Sequence, residues 1–422
     1  MGPLSHPILI IGTGISGLAL AQSLKKHHLP VRVFEKDSPQ KPRLQGYRIR
    51  INGDGQRPLQ ACLPAPLWDL FLTTCHAATP SVLNYDALSG AEVGRMTGPP
   101  PGRPAHDVVP RVADRRVLRD VLLRGLSEEA GEVSYGRRFA RYEVDEAAGV
   151  VRAFFADGSV EEGCLLVGAD GVASAVRAQL APGHVMIDTD ARCVYGKTVL
   201  TPALSEAGFP REAAEMMAVA QDGSKGGDSP IMLFMDPVRF CREARETQDA
   251  VKIPEDYVYW VFGARTSLFG LSDEELHKMS NEECVKHTVE LAKEWHPSMR
   301  ALLELQDEEQ ASAIRISAAK PPLKAWEVSK WVTLIGDAVH AMPPTGGSGA
   351  NTALRDAAGL SEVIVRDVEE GRVGDGRTDG WSLGMYEAKM REYGNEMIEM
   401  SFRGGKRLIG MPPTEECKRI EI

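Results

Sequence analysis

The sequence predicts an α/β fold: a parallel-sheet, dinucleotide-binding unit interleaved with a second, largely antiparallel sheet and followed by C-terminal helices. Three features predict it. Residues 8–34 read as strand, glycine turn, helix and strand. Two later apolar runs, residues 164–167 and 332–335, pass directly into Gly168-Ala169-Asp170-Gly171 and Gly336-Asp337. Between them, residues 191–268 change to the aromatic and β-branched pattern of antiparallel strands.

The first unit carries Ile11-Gly12-Thr13-Gly14-Ile15-Ser16-Gly17-Leu18, with Glu35 closing the next apolar run. Gly12 permits a tight turn off the strand, Gly14 lets the backbone approach a pyrophosphate, and Gly17 lets the helix pack closely on the sheet. The helix N-terminus offers free N–H groups to phosphates. Glu35 stands about 20 residues on, where a carboxylate can accept from a ribose 2′-OH and would repel a 2′-phosphate. By itself this fingerprint suits NAD as well as FAD, since both present an adenosine ribose and a pyrophosphate.

Further along, residues 36–60 are polar and end in the turn-like Asn52-Gly53-Asp54-Gly55. Residues 63–72 resume a helical pattern, and residues 81–92 alternate like a strand pair turning at Ser89-Gly90. Residues 115–126 form an amphipathic helix. Strands follow at 134–142 and 150–155, then near 194, 231–234 and 257–262, with helix over 271–305. A linker at 371–380 leads to a last helix over 383–402.

The chain has 422 residues and a formal charge of -10, enough length for two cores and the wrong sign for a nucleic-acid surface. Seven scattered cysteines suggest neither a disulfide frame nor a metal site. The apolar start is short and consumed by the first strand, so no signal peptide is expected. No stretch reaches the ~18 apolar residues of a membrane span, and a cytoplasmic location follows by default.

Two downstream segments decide the cofactor. Gly168-Ala169-Asp170-Gly171-Val172-Ala173-Ser174-Ala175-Val176-Arg177 aims a carboxylate across the strand ends, or simply caps the next helix. In Gly336-Asp337-Ala338-Val339-His340-Ala341-Met342-Pro343-Pro344, Asp337 can bond polyol hydroxyls. The loop at 346–351 opens a helix whose N–H groups suit the N1/C2=O edge of a flavin.

With Arg115-Arg116-Val117-Leu118-Arg119, these motifs lie in the order of the single-component, FAD-dependent aromatic-hydroxylase class, and the chain resembles that family between residues 12 and 357. The resemblance implies a Rossmann-like FAD-binding domain of the GR2 type at residues 1–75, 107–190 and 325–370. It implies a substrate domain at 76–106 and 191–324, and a C-terminal helical segment at 371–422. It assigns Gly12, Gly14, Gly17 and Glu35 to the ADP half and Arg115 to the pyrophosphate side. Asp170 would serve FAD and the nicotinamide cofactor, and Asp337 ribityl or phosphate oxygens. Gly349, Ala350 and Asn351 would line the isoalloxazine, with Gly46 and Arg48 beside it. His340 is read as packing or hydrogen-bonding near the loop.

The resemblance implies the activity of a monooxygenase: NADH or NADPH, O2 and a flavin C4a-(hydro)peroxide oxygenating a hydrophobic small molecule, whether aromatic, indole, polyketide or terpenoid. No metal is needed. A flavin oxidase, a reductase, a non-redox cyclase and a non-catalytic flavin-binding regulator are the alternatives. Substrate-side candidates are Arg192, Tyr195 and Lys197, then Tyr257, Tyr259 and Trp260, each of which could equally serve the sheet's own packing. Tyr195 and Lys197 fall on one face of their strand. With no second nucleotide-binding domain visible, the nicotinamide cofactor is expected to bind transiently near the Asp170 segment.

Overall fold

Strand Ile8–Ile11 is buried along its whole length, as an apolar strand covered on both faces of a parallel sheet must be. The computed structural model describes residues 4–38, 48–79, 81–98, 108–224, 229–247, 251–374, 377–378 and 381–420. In it, Ile8–Ile11 pairs in parallel with Leu165–Gly168 on one side and Val31–Phe34 on the other. Val332–Leu334 and Val133–Ser134 complete the five-stranded parallel sheet.

The register sets Ile11 beside Gly168 and Gly168 beside Leu334. Parallel strands all end on the same side, so Gly12, Asp170 and Asp337 leave the sheet together although more than 300 residues separate the first from the last. The carboxyl ends of such strands form the crevice where α/β sheets hold ligands. Helix Ile15–Lys26 packs on helix Gly349–Glu369, where the Ser23 and Ser361 hydroxyls meet at 2.7 Å.

The second, eight-stranded sheet has the order Ser312–Ala319, Met186–Val199, Tyr257–Arg265, Ile231–Val238, Met217–Asp222, Ser81–Asp86, Glu92–Thr97. Lys418–Ile420 pairs with the start of Met186–Val199. All neighbours are antiparallel except Met217–Asp222 with Ser81–Asp86. Alternation gives the sheet two different faces. Val194, Trp260, Phe262, Leu233 and Ala218 join a core with Leu276, Cys284 and Trp295 from the helices that follow. The opposite face, with Tyr195, Val261, Phe234 and Val219 in cross-strand line, turns toward the parallel-sheet unit.

Two sequence expectations change. Asn52-Gly53-Asp54-Gly55 is the start of helix Gly53–Cys62: the Asn52 side chain accepts from the Asp54 N–H at 3.0 Å, an N-cap that looks like a turn in sequence. The polar stretch before it also contains strand Arg48–Ile51. Residues 134–142 are two elements, Val133–Ser134 in the parallel sheet and Phe139–Asp145 in a separate three-stranded sheet. No helix among the described residues is long and apolar enough to cross a membrane.

Candidate active site

One cleft of about 2000 Å³ runs along the carboxyl ends of the parallel strands and on to the inner face of the long sheet. Gly12, Gly14, Glu35, Arg115, Asp170, Asp337, Gly349 and Ala350 all line it. The fingerprint end is built from backbone. Gly12 has φ of +111°, and a Cβ there would lie 2.4 Å from the Ala169 carbonyl oxygen. Gly17 lies behind the lining, and a Cβ on it would come within 2.4 Å of the Gly12 carbonyl oxygen. A Cβ at Gly14 would find nothing nearer than 3.9 Å, so this backbone is open to a close-lying ligand.

Thr13, between the glycines, holds the loop in place. Its N–H and hydroxyl donate to Glu35 Oε2 at 3.0 and 2.6 Å, and Arg119 donates to its Oγ1 at 2.8 Å. Burial works against ionisation of Glu35, but the hydrogen bonds from Thr13 and Asp37 outweigh it and hold the carboxyl below its ordinary range. Arg119 belongs to the same short motif as Arg115 and had drawn no separate notice in the sequence. Asp170 also lines the cleft, yet its carboxylate already accepts from the Ser174 hydroxyl and from the Ala175 and Val176 N–H groups at 2.8 and 3.2 Å. Burial raises its pKa.

At the other end, the His340-containing loop is held by Asp356. This fully buried carboxylate accepts from the Gly336 N–H at 2.7 Å, contacts His340 Nε2 at 2.6 Å and accepts from the Tyr393 hydroxyl. The residue pattern Gly-Asp-Ala-x-His with a distant Asp-Ala is therefore one hydrogen-bonded unit. Asn351 was expected to line the cleft and does not: it is buried behind the lining, accepting from Asn52 N at 3.0 Å and donating to the Arg50 and Gly347 carbonyls at 3.0 and 3.1 Å. It fastens the loop to strand Arg48–Ile51.

The substrate-side candidates separate by face and depth. Tyr195 and Tyr259 line the cleft with Phe234, whose ring meets Tyr259 edge-on at 6.4 Å. Lys197 shares Tyr195's face but lies deeper, its Nζ donating to Asp114 Oδ2 at 2.8 Å beside the Tyr257 hydroxyl, which donates to the same oxygen at 2.6 Å. Asp114 Oδ1 meanwhile caps helix Arg115–Leu123. One carboxylate thus joins the long sheet to the helix that bears Arg115 and Arg119. Arg192 is on the helix-covered face, paired with Asp188 and Asp273 at 2.7 Å each, and Trp260 is buried there too, donating to Thr198 Oγ1. The structure brings neither Arg192 nor Lys197 to the cleft wall. Both were placed correctly on the strand, but buried cations seek carboxylates.

Arg48 lines the cleft, ion-paired with Asp236 and stacked on Phe234 with 5.4 Å to the ring centroid. Gly46 lies outside the described residues. A further wall went unread in the sequence: helix Leu383–Ile409 presents Met400, Arg403, Gly404, Arg407 and Leu408 to the cleft. Their spacing is that of one helix face, and the adjacent Gly404-Gly405 inside a helix was the available signal.

FAD fits these residues. Helix Ile15–Lys26 begins at Gly14 with no side-chain cap and no acid in its first turn, and helix Gly349–Glu369 begins at Ser348 in the same way. Both N-termini open on the one cleft, one suited to a pyrophosphate and one to an electron-rich ring edge.

Comparison with known proteins agrees. An NAD(P)-binding Rossmann-like domain model matches residues 10–53, and an FAD binding domain model matches residues 286–401. The dual O-methyltransferase/FAD-dependent monooxygenase elcB of Phaeosphaeria nodorum is 38% identical over 99% of this chain and 47% of its own length. The chain spans about half the length of the first curated relatives it matches. A solved structure from Photorhabdus luminescens, described as an FAD-containing monooxygenase, is 31% identical with a TM-score of 0.78, covering 96% of this chain and 99% of that one. HpxO of Klebsiella pneumoniae, solved with FAD and uric acid, shares the fold at 20% identity and a TM-score of 0.72, covering 96% and 90%. With both halves of the cofactor cleft matched and a relative aligned from end to end, the chain belongs to the FAD-dependent monooxygenases.

Proposed function

We propose that this protein uses NAD(P)H and O2 to insert one oxygen atom into a hydrophobic, aromatic small molecule. The observation that carries this reading is the single cleft joining the glycine fingerprint to a wall of Tyr195, Phe234 and Tyr259. FAD, when bound, supplies the electron transfer and oxygen activation. The chain's own residues bind, orient and exclude water. Gly12, Gly14, Gly17 and Glu35 would hold the ADP half of FAD with Arg115 on its pyrophosphate side, Asp337 would bond ribityl or phosphate oxygens, and Gly349 and Ala350 would line the ring. Met232, Phe234 and Val261 keep the far wall dry, which protects a reactive oxygen species from water. The aromatic rings offer stacking surfaces to a planar substrate.

The test is a yellow holoenzyme whose 450 nm band bleaches anaerobically with NAD(P)H, followed by substrate-dependent entry of label from 18O2 into product. One NAD(P)H and one O2 are consumed per oxygen inserted, the second oxygen leaving as water. Peroxide formation without label in the product would instead make it an oxidase.

A further inference from the structure

The cleft holds more positive charge than a dinucleotide at its fingerprint end requires. The chain carries a formal charge of -10, yet the described residues lining the cleft include eleven lysines and arginines against five aspartates and glutamates. A cleft of one sign concentrates the field and draws anions. Four of these cations are engaged with the protein's own groups. Arg119 holds Thr13, Arg48 pairs with Asp236, Arg137 with Glu161, and Arg315 with Asp273.

Arg116, Arg138, Arg403 and Arg407 are exposed, line the cleft and make no ion pair among the described residues, and of these Arg403 and Arg407 share one helix. These two stand one turn apart on helix Leu383–Ile409, a spacing at which like charges destabilise a helix. Their helix is seated on the glycine-rich loop itself. A Cβ on Gly404 would lie 2.8 Å from the Thr345 carbonyl oxygen, and Thr345 Oγ1 donates to the Ser401 carbonyl at 2.7 Å. The two arginines therefore stand in the cleft wall beside the glycine-rich loop, and in sequence they follow the matched FAD binding domain, which ends at residue 401.

We propose that Arg403 and Arg407 form the docking site for the pyrophosphate of the nicotinamide dinucleotide. Planar guanidinium forks match phosphate oxygens two at a time. The Asp170 segment, expected from the sequence to take this role, suits it less: its carboxylate is committed to capping the following helix and would repel a phosphate. The inference rests on the function proposed above, reduction of a bound flavin by NAD(P)H.

The test uses FAD-loaded Arg403→Gln/Arg407→Gln protein. Titration calorimetry with NAD+ and with NADP+ reads binding without turnover, and anaerobic bleaching at 450 nm against NADH or NADPH concentration gives the apparent Kd and the limiting rate. Loss of two charge-assisted contacts predicts a roughly 10- to 100-fold weaker Kd in both assays, with FAD content and limiting rate retained. The Arg403→Lys/Arg407→Lys protein recovers part of the affinity. Unchanged Kd values overturn the proposal. So does a weakened substrate Kd with dinucleotide binding intact, which would make the pair a substrate-anion site. If neither nicotinamide cofactor bleaches the parent protein, the functional reading fails, and calorimetry still reports on the site.

Discussion

The two ends of the cleft are built in opposite ways. At the fingerprint end, the ligand seat is backbone: Gly12 and Gly14 within three residues, with Thr13 tied to Glu35 and Arg119. At the far end, buried side chains from distant segments hold the cleft wall from behind: Asp356 with Gly336, His340 and Tyr393; Asn351 with Asn52; Asp114 with Lys197 and Tyr257. A backbone seat needs a particular local conformation and fails when that conformation is denied. A wall held by side chains rests on a set of buried polar bonds, and it weakens piece by piece.

The sharpest way to break this contrast is Gly12→Ala. The substitution meets both a positive φ and a carbonyl oxygen at 2.4 Å, so the expected outcome is loss of essentially all bound FAD, read as the ratio of 450 to 280 nm absorbance. Retained flavin would show that the turn is not the seat.

Next in size is Asp356→Asn. Breaking a buried, hydrogen-bonded pair costs about 3–5 kcal/mol, measured by denaturant or thermal unfolding. Its pH dependence has a definite sign. Burial disfavours the His340 imidazolium, but the charges of Asp356 and then Asp337 outweigh it, so its pKa lies above the ordinary 6.5. The stabilisation is therefore full below pH 6.5 and is lost as pH rises through the raised value, and the deficit of the variant shrinks in that direction. A deficit that grows with pH would rule out the ion pair.

Lys197→Met tests whether the sheet-to-helix junction is structural. It leaves Asp114 buried with Tyr257 and its N-cap bonds, and the expected loss is about 3 kcal/mol of stability with product formation per bound flavin nearly unchanged. A selective fall in turnover of the folded protein would return Lys197 to the chemistry. Tyr195→Phe, smallest of the four, removes the hydroxyl of one cleft-lining residue. A rise of roughly 2- to 10-fold in substrate KM is expected, with flavin content constant.

The same contrast explains what could be read in advance. Gly12, Gly14, Glu35, Asp170 and Asp337 were legible because each follows a short apolar strand and lines the cleft at that strand's end. Lys197 and Arg192 were legible as positions on a strand, while the partner of Lys197, Asp114, and the second partner of Arg192, Asp273, 83 and 81 residues away in the chain, were not. Asn351 was seen in its motif, but its burial depended on strand Arg48–Ile51, itself hidden in a polar stretch. The helix face of Arg403 and Arg407 had no motif to announce it.

By itself, the sequence determined the parallel βαβ unit, the change to an antiparallel sheet, and the glycine and aspartate positions that line the cleft. These follow from local conformation and from periodicity, which neighbouring residues specify. Tertiary structure alone decided which face of the long sheet lines the cleft, which buried cations pair with carboxylates, and that the last long helix walls the cleft. Those outcomes depend on strand register and on the need of each buried charge for a partner, and both are settled between segments far apart in the chain.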